Sequence, residues 1–458
     1  MNTLQNTNQL TNQIRTTCPG CGLLCDDIIV QTDDDNALKM VANGCAKSIA
    51  FFEQGLVDAK PTVDGKEVDL SAAIKKAAEL LNQANQPLIA GLGTEVQGMR
   101  AVMQLADKTG ATLDHMHSDA TMRNTLVLQN SGWQVTTLTE VKNRVDLLVV
   151  IGTDIVSIMP QFFERIIWNE ATLFEQDTAT REVVYLGGQD LTGNQLDTSA
   201  GISPNGNKPT VLPCDITQLP EVVAVLNALI KGKNIVATEI AGVSTSDLQA
   251  LAGRLKAAKY SVITWAASAF NFNHAELLVQ NITECINALN AGSSQFSTRT
   301  AGLPITSGDG DSSAANVATW MSGYPLRNSF KRDYPEYNPF GFKTDQLINN
   351  DEADVLVWIS SFKPIAPILS KKPTIVIGHP NTQFTQQPDV FIPVCIPGFQ
   401  QKGLMFRMDS SVILPLKQIL DSTLPTLSYV CAQMMVALNT ENEANIKTSA
   451  DLKAGKKV

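Results

Sequence analysis

Short apolar runs recur along this chain, each bounded by Gly, Pro or Asn: residues 88–92, 146–152, 183–187, 260–266, 354–360, 374–378 and 390–396. They are rich in Val, Ile and Leu and do not alternate with polar residues, as parallel strands covered on both faces do not. Between them lie segments of helical period. Residues 71–82 place Ala72, Ile74, Ala77, Leu80 and Leu81 on one stripe, with Ser71 at the N-cap. Residues 219–230 and 275–289 follow the same period. This alternation predicts α/β domains with helices on both faces of their sheets.

Punctuation between the elements adds little chemistry. Gly91-Leu92-Gly93-Thr94-Glu95 closes the first strand, but the next glycine is Gly98, so the full G-x-G-x-x-G fingerprint is missing and a tight turn is the better reading. Residues 187–208 are rich in Gly, Asn, Asp and Pro and read as a surface loop, and 441–458 as a polar tail.

A chain of 458 residues accommodates roughly two to four domains. Its 44% hydrophobic content is ordinary, and no apolar run approaches the length of a membrane span. The net charge of −10, without a basic patch, argues against a nucleic-acid partner. The polar residues 1–17 form an N-terminal arm with no apolar core, so no secretory signal is expected and the predicted location is cytoplasmic. Cys214, Cys285, Cys395 and Cys431 stand far apart in apolar or helical contexts, as reduced core residues do.

The chemistry concentrates at the start. Cys18, Cys21, Cys25 and Cys45 form the pattern C-x2-C-x3-C-x19-C, with Gly20, Gly22 and Gly44 around them. Three thiols within eight residues and a fourth from a later turn suit a [4Fe–4S] cluster. Zinc usually takes two C-x2-C pairs, and only one is present here. An inherited but empty motif stays open as a third reading. His115 and His117 form H-x-H; on a strand both rings would share one face, and with Asp114 and Asp119 nearby they would suit zinc. A pair that lines a polar cavity or caps a helix is the commoner case. His274 and His379 are isolated and read as core or loop histidines.

The segment Cys18-Pro-Gly-Cys-Gly-Leu-Leu-Cys-Asp-Asp27 resembles the cluster motif of the B subunit of formylmethanofuran dehydrogenase, a molybdopterin-type oxidoreductase. Residues 138–146, 322–325 with 333–339, 354–360 and 406–409 carry the resemblance onward in the family's order, over about residues 18–420. The resemblance implies a four-cysteine domain at 18–65, a discontinuous Rossmann-like α/β domain at 66–155 and 305–440, and a second one inserted at 156–304, without a C-terminal β-barrel. It implies that Lys47, two residues after Cys45, bridges cluster and pterin; a plain surface lysine is the alternative.

One departure matters. A redox subunit of this family holds molybdenum or tungsten on a cysteine or selenocysteine followed by a histidine. Ala120 aligns there, and no cysteine lies anywhere between Cys45 and Cys214. The molybdopterin centre is therefore expected to be absent. The resemblance then leans to the formyltransferase/hydrolase complex of aerobic methylotrophs, which handles the same formyl carrier hydrolytically in the path from formaldehyde to formate. Its B subunit would be a noncatalytic scaffold in a hetero-oligomer with an amidohydrolase-like A subunit, a C subunit and a formyltransferase-like D subunit, meeting a methanofuran-type carrier through the complex. The catalytic dehydrogenase subunit is the alternative.

Overall fold

The computed structural model describes residues 13–32, 37–188, 195–291 and 298–454, the side chains of 441–454 excepted. Contacts divide the chain into two units: Met1–Gly20, Leu24–Ser118 and Gly308–Val458 form the first, and Cys21–Leu23 with Asp119–Ser307 the second. The result is a mixed α/β protein with several sheets.

In the first unit nine of the described strands form one sheet. Five central strands are parallel, in the order Thr112–His115, Pro87–Gly93, Val355–Ser360, Thr374–Gly378 and Val390–Pro393. Short antiparallel strands flank them on both sides. The apolar runs alternate faces with period two. Ile89, Val357, Ile375, Ile377 and Ile392 enter one core cluster, whereas Leu88, Ala90, Leu356, Trp358 and Val376 enter another. Burial on both faces is why these runs carry no polar alternation.

Helices Leu70–Gln83 and Val96–Thr109 supply Ala73, Ala77, Met99 and Val102 to the first of those cores. Ser71 is not the N-cap of its helix: Asp69 accepts the Ala72 N–H at 2.7 Å, so the cap lies two residues earlier. A helix not foreseen from the sequence, Leu427–Ala454, buries Leu427, Val430, Cys431 and Met434 in the same core. The polar tail expected from 441 is thus helical backbone through Ala454, and 455–458 lie outside the described residues.

The cysteine-rich start of the chain forms an antiparallel meander, Gln13–Thr16, Ile28–Thr32 and Leu38–Ala42. Its Ile28, Val30 and Leu38 pack with Phe51, Phe52, Phe362 and Phe399 in one cluster, so this region shares its core with the later part of the first unit. Residues 13–16 of the expected arm are a strand, and 1–12 lie outside the described residues.

The second unit has a five-stranded parallel sheet in the order Thr210–Leu212, Glu182–Leu186, Leu147–Ile151, Tyr260–Ala266 and Arg299–Ile305. The run 146–152 is the centre of this sheet, with partners on both sides. Helices Leu219–Ile230 and Ala275–Ala291 bury Val222, Leu226, Leu278 and Ile282 in its core. The loop foreseen at 187–208 falls partly outside the described residues. Among the described residues no helix is long and apolar enough to cross a membrane.

Candidate functional site

The chain crosses from Pro87–Gly93 through helix Val96–Thr109 to Thr112–His115 on one side, and returns at Val355–Ser360 on the other. That reversal is a topological switch point, where open α/β sheets form ligand sites beyond the carboxyl ends of their strands. The end of Pro87–Gly93 shows what the lone G-x-G does. Gly91 has φ +81°, and a Cβ there would lie 2.5 Å from the Ile359 carbonyl oxygen. The glycine serves a close strand approach. Glu95 then accepts the N–H groups of Gln97 at 2.6 Å and Gly98 at 2.7 Å. The helix N-terminus a phosphate would use is filled by the protein's own carboxylate, whose pKa burial raises against those hydrogen bonds.

Beside it lies a polar cluster. His115 is buried, and its Nδ1 accepts the His117 N–H at 3.0 Å. Its proton therefore sits on Nε2, which donates to the Asp309 carbonyl at 3.3 Å. Burial, and then the neighbouring His117, lower its pKa to about 3, so it is neutral. His117 Nε2 stands 3.0 Å from Asp309 Oδ2, and Lys363 Nζ 2.7 Å from Oδ1. Burial pushes the Asp309 pKa up, but the His117 hydrogen bond and the Lys363 ammonium outweigh it and hold the carboxyl at about 2. Gly308, Asp309 and Gly310 have φ of +94°, +54° and +79°. Three successive left-handed residues aim one carboxylate between the His117 imidazole and the Lys363 ammonium. His117 is the partly exposed member, at 29% of its side chain, and so the one that solvent reaches.

The histidine pair differs from the strand arrangement expected. His115 ends the strand, whereas His117 lies in the turn beyond it, with ring centroids 5.4 Å apart. Asp114 points elsewhere. Its carboxylate binds Arg327 Nε at 3.2 Å and the N–H and Oγ1 of Thr344 at 2.8 and 2.7 Å. Strand alternation sends residues 114 and 115 to opposite faces, so Asp114 is unavailable as a zinc partner of the histidines. Asp119 is in the first turn of helix Ser118–Ser131. His274 is exposed, 3.4 Å from Glu276. His379 is fully buried at the end of strand Thr374–Gly378 and accepts the Asn381 N–H at 3.1 Å, and its Nε2 has no hydrogen-bond partner among the described residues. The Oγ atoms of Thr94 and Ser361, at the ends of the neighbouring strands, are also buried and unpartnered, a polar row of the kind that ordered water satisfies. Asp309 and Lys363 had not been singled out in the sequence. The signal was Gly308-Asp309-Gly310, because glycines flanking an acidic residue mark a left-handed turn.

The four cysteines lie on a loop and a helix start. Residues 16–24 are all buried. The Cys18 N–H donates to the Cys25 carbonyl at 2.9 Å, closing the loop, and Cys18 Sγ accepts the Gly20 N–H at 3.3 Å. A Cβ on Gly20 would lie 3.2 Å from that sulfur and 3.3 Å from the Lys47 carbonyl, which sets the backbone of Lys47 against the loop. Cys45 caps helix Ala46–Phe52, its N–H donating to Ser48 Oγ at 2.6 Å. Contacts group Cys21 with the second unit. Three thiols on a glycine-lined loop, one of them accepting an N–H, and a fourth at a helix start match the donor chemistry of a thiolate-bound cluster. Among the described residues, however, no three His, Cys, Asp or Glu side chains are gathered as a metal site. Ala120 is half-buried, its methyl packed against the core of the second unit.

The folded chain is thus a mixed α/β protein whose larger sheet carries a polar site at its switch point and a buried cysteine loop at its start. No protein-family model matches it. It is similar to the B subunit of the tungsten-containing formylmethanofuran dehydrogenase 2 of Methanocaldococcus jannaschii, 26% identical over 421 residues that cover 88% of this chain and 93% of the relative. It is also similar to the B subunit of the formyltransferase/hydrolase complex Fhc of Methylorubrum extorquens, 27% identical over 355 residues covering 77% and 89%. Among solved structures, a chain of the FhcABCD complex of that organism with methylofuran superposes with a TM-score of 0.70 at 26% identity, over 83% of this chain and 99% of the other. Acetylene hydratase from Pelobacter acetylenicus shares the fold, with a TM-score of 0.62 at 10% identity over 94% and 70%.

Proposed function

We propose that this chain is the B subunit of a formyltransferase/hydrolase complex and serves it as a noncatalytic scaffold. Its partners would be A, C and D subunits, its setting one-carbon metabolism in the cytoplasm, and its indirect ligand a formyl carrier of the methanofuran type. The observation that carries this reading is the methyl group of Ala120, packed on an apolar core in a stretch with no cysteine from residue 46 to 213. An alanine cannot ligate molybdenum or tungsten. The similarity to the Fhc B subunit and the superposition on a chain of FhcABCD support it. The dehydrogenase reading, favoured by the tungsten-containing relatives, needs a metal ligand that this stretch does not supply.

The four cysteines belong to the same proposal. Cys18, Cys21, Cys25 and Cys45 would hold a [4Fe–4S] cluster that ties the meander to its loop, and the Gly20 N–H would remain hydrogen-bonded to Cys18 sulfur. When bound, such a cluster supplies structural cross-linking and a site for one electron. Lys47 would stand beside it.

The test is co-expression with candidate A, C and D subunits, followed by purification through a tag on this chain. The expected result is a stoichiometric complex that releases formate from the formylated carrier, with molybdenum and tungsten below one-tenth of an atom per chain, roughly the trace level that separates carry-over from a bound centre. Stoichiometric tungsten or molybdenum together with carrier oxidation by an artificial electron acceptor would falsify the scaffold reading.

A further inference from the structure

We propose that the amino-terminal edge of the second unit's sheet is a docking groove for an extended, acidic segment of a partner polypeptide. The groove is a cleft of about 980 Å³ at the starts of strands Tyr260–Ala266 and Arg299–Ile305. It lies at the opposite end of that sheet from the one where open α/β sheets hold their small ligands. The inference stands independently of the reading of the chain as part of a formyltransferase/hydrolase complex.

Backbone geometry supplies the first argument. Val135 bridges Gly302 in parallel: the Gly302 N–H donates to the Gln134 carbonyl at 2.8 Å and the Thr136 N–H to the Gly302 carbonyl at 2.9 Å. In a parallel ladder the residue between those two bonds turns its own N–H and C=O away from the sheet. Val135, 47% exposed and lining the cleft, therefore presents a donor and an acceptor to an incoming strand.

Charge supplies the second. Arg144, Lys259 and Arg299 line the cleft against the single carboxylate of Glu140. Glu140 is already held by Arg144 at 2.7 Å, and Lys259 and Arg299 have no ion-pair partner among the described residues. In a chain of net charge −10, a cleft of surplus positive charge selects an acidic partner. The exposed ring of Phe174, with the Arg144 guanidinium 4.5 Å from its centroid, offers apolar contact beside the cations. An extended segment that alternates acidic and aliphatic residues meets both requirements, since its side chains project to opposite sides.

Several neutral polar groups of the cleft are committed. Tyr260 Oη donates to Thr136 Oγ1 at 2.8 Å, and the Gln176 amide binds the Val145 carbonyl and Arg181. Beside them the cleft offers a strand edge and cations, the equipment for a peptide backbone bearing carboxylates.

The full chain is titrated with fluorescein-labelled Glu-Val-Glu-Ile-Glu-Val-Glu and with its lysine-for-glutamate counterpart, by fluorescence anisotropy. The acidic peptide is expected to saturate, the basic one not. The double variant Lys259→Glu/Arg299→Glu is expected to weaken binding at least about ten-fold at low salt. Val135→Pro removes the outward N–H and leaves every charge, so it is expected to weaken binding by about ten-fold as well. Amide exchange of residues 134–136 should slow when the peptide is bound. Melting curves of each variant separate a lost groove from a lost fold. The proposal is overturned by Val135→Pro binding as well as the parent, which would mean attraction by charge alone. Competition by citrate at the peptide's own concentration, a small-anion site, overturns it too, as does a lack of saturable binding up to about 1 mM peptide.

Discussion

At the scale of single residues, buried histidines set the acid sensitivity of the chain. Burial lowers the His379 pKa to about 4, and burial with the neighbouring His117 lowers that of His115 to about 3. Both titrate near 6.5 when unfolded. Their folded values are depressed, so the unfolded chain takes up protons first as pH falls. The stability they contribute is complete above pH 6.5 and is lost between 6.5 and about 4 for His379, and on to about 3 for His115. Asp309 acts in a lower window, from about its ordinary value down to about 2. The melting temperature is thus expected to fall steeply from pH 6.5 to 4, and His379→Asn to flatten that limb while lowering the value at neutral pH. Parallel curves for variant and parent would remove His379 from the account. Nothing in the sequence distinguished this histidine from an ordinary loop residue. Its burial comes from the strands on either side, which are remote in the chain.

At the scale of elements, two glycines make opposite predictions. Gly310 has φ +79°, and a Cβ there would run into the Thr94 carbonyl oxygen. Gly310→Ala combines left-handed strain with that overlap and should destabilise by about 2 kcal/mol or more. Gly253 sits exposed inside helix Thr245–Ala257, with open space where a methyl group would go. Gly253→Ala should stabilise by about 0.5–1 kcal/mol, because alanine gives up less backbone freedom in a helix. Urea titration of both variants checks the pair, and equal midpoints would contradict the assignment. The helix at 253 follows from local period and caps. The clash at 310 depends on a strand end more than two hundred residues away in the chain.

At the scale of the whole molecule, the cysteine loop decides whether folding is coupled to a metal. If the four thiols ligate a cluster, its binding free energy is part of the folding free energy of the chain. The chain purified without oxygen is then expected to hold about four irons, with a paramagnetic resonance signal after reduction. Cys21→Ala should lower its melting temperature by several degrees, about 2–4 °C for each kcal/mol lost. An unchanged melting temperature, or one zinc per chain, would remove the cluster from the proposal. The similarity to the B subunits of Fhc and of formylmethanofuran dehydrogenase spans most of the chain.

The sequence by itself determined the α/β class, most strand cores and the helices at 219–230 and 275–289. Each of these depends on a periodicity that neighbouring residues carry among themselves. It also carried the four cysteines and the missing thiol at Ala120, which are matters of residue type and spacing. Only the tertiary structure decided that 146–152 is the centre of the second sheet. A run buried on both faces carries no mark of which partner strands will cover its edges. The same reason hid the Asp309 cluster, whose four side chains come from three segments, at residues 115–117, 309 and 363, that are remote in the chain.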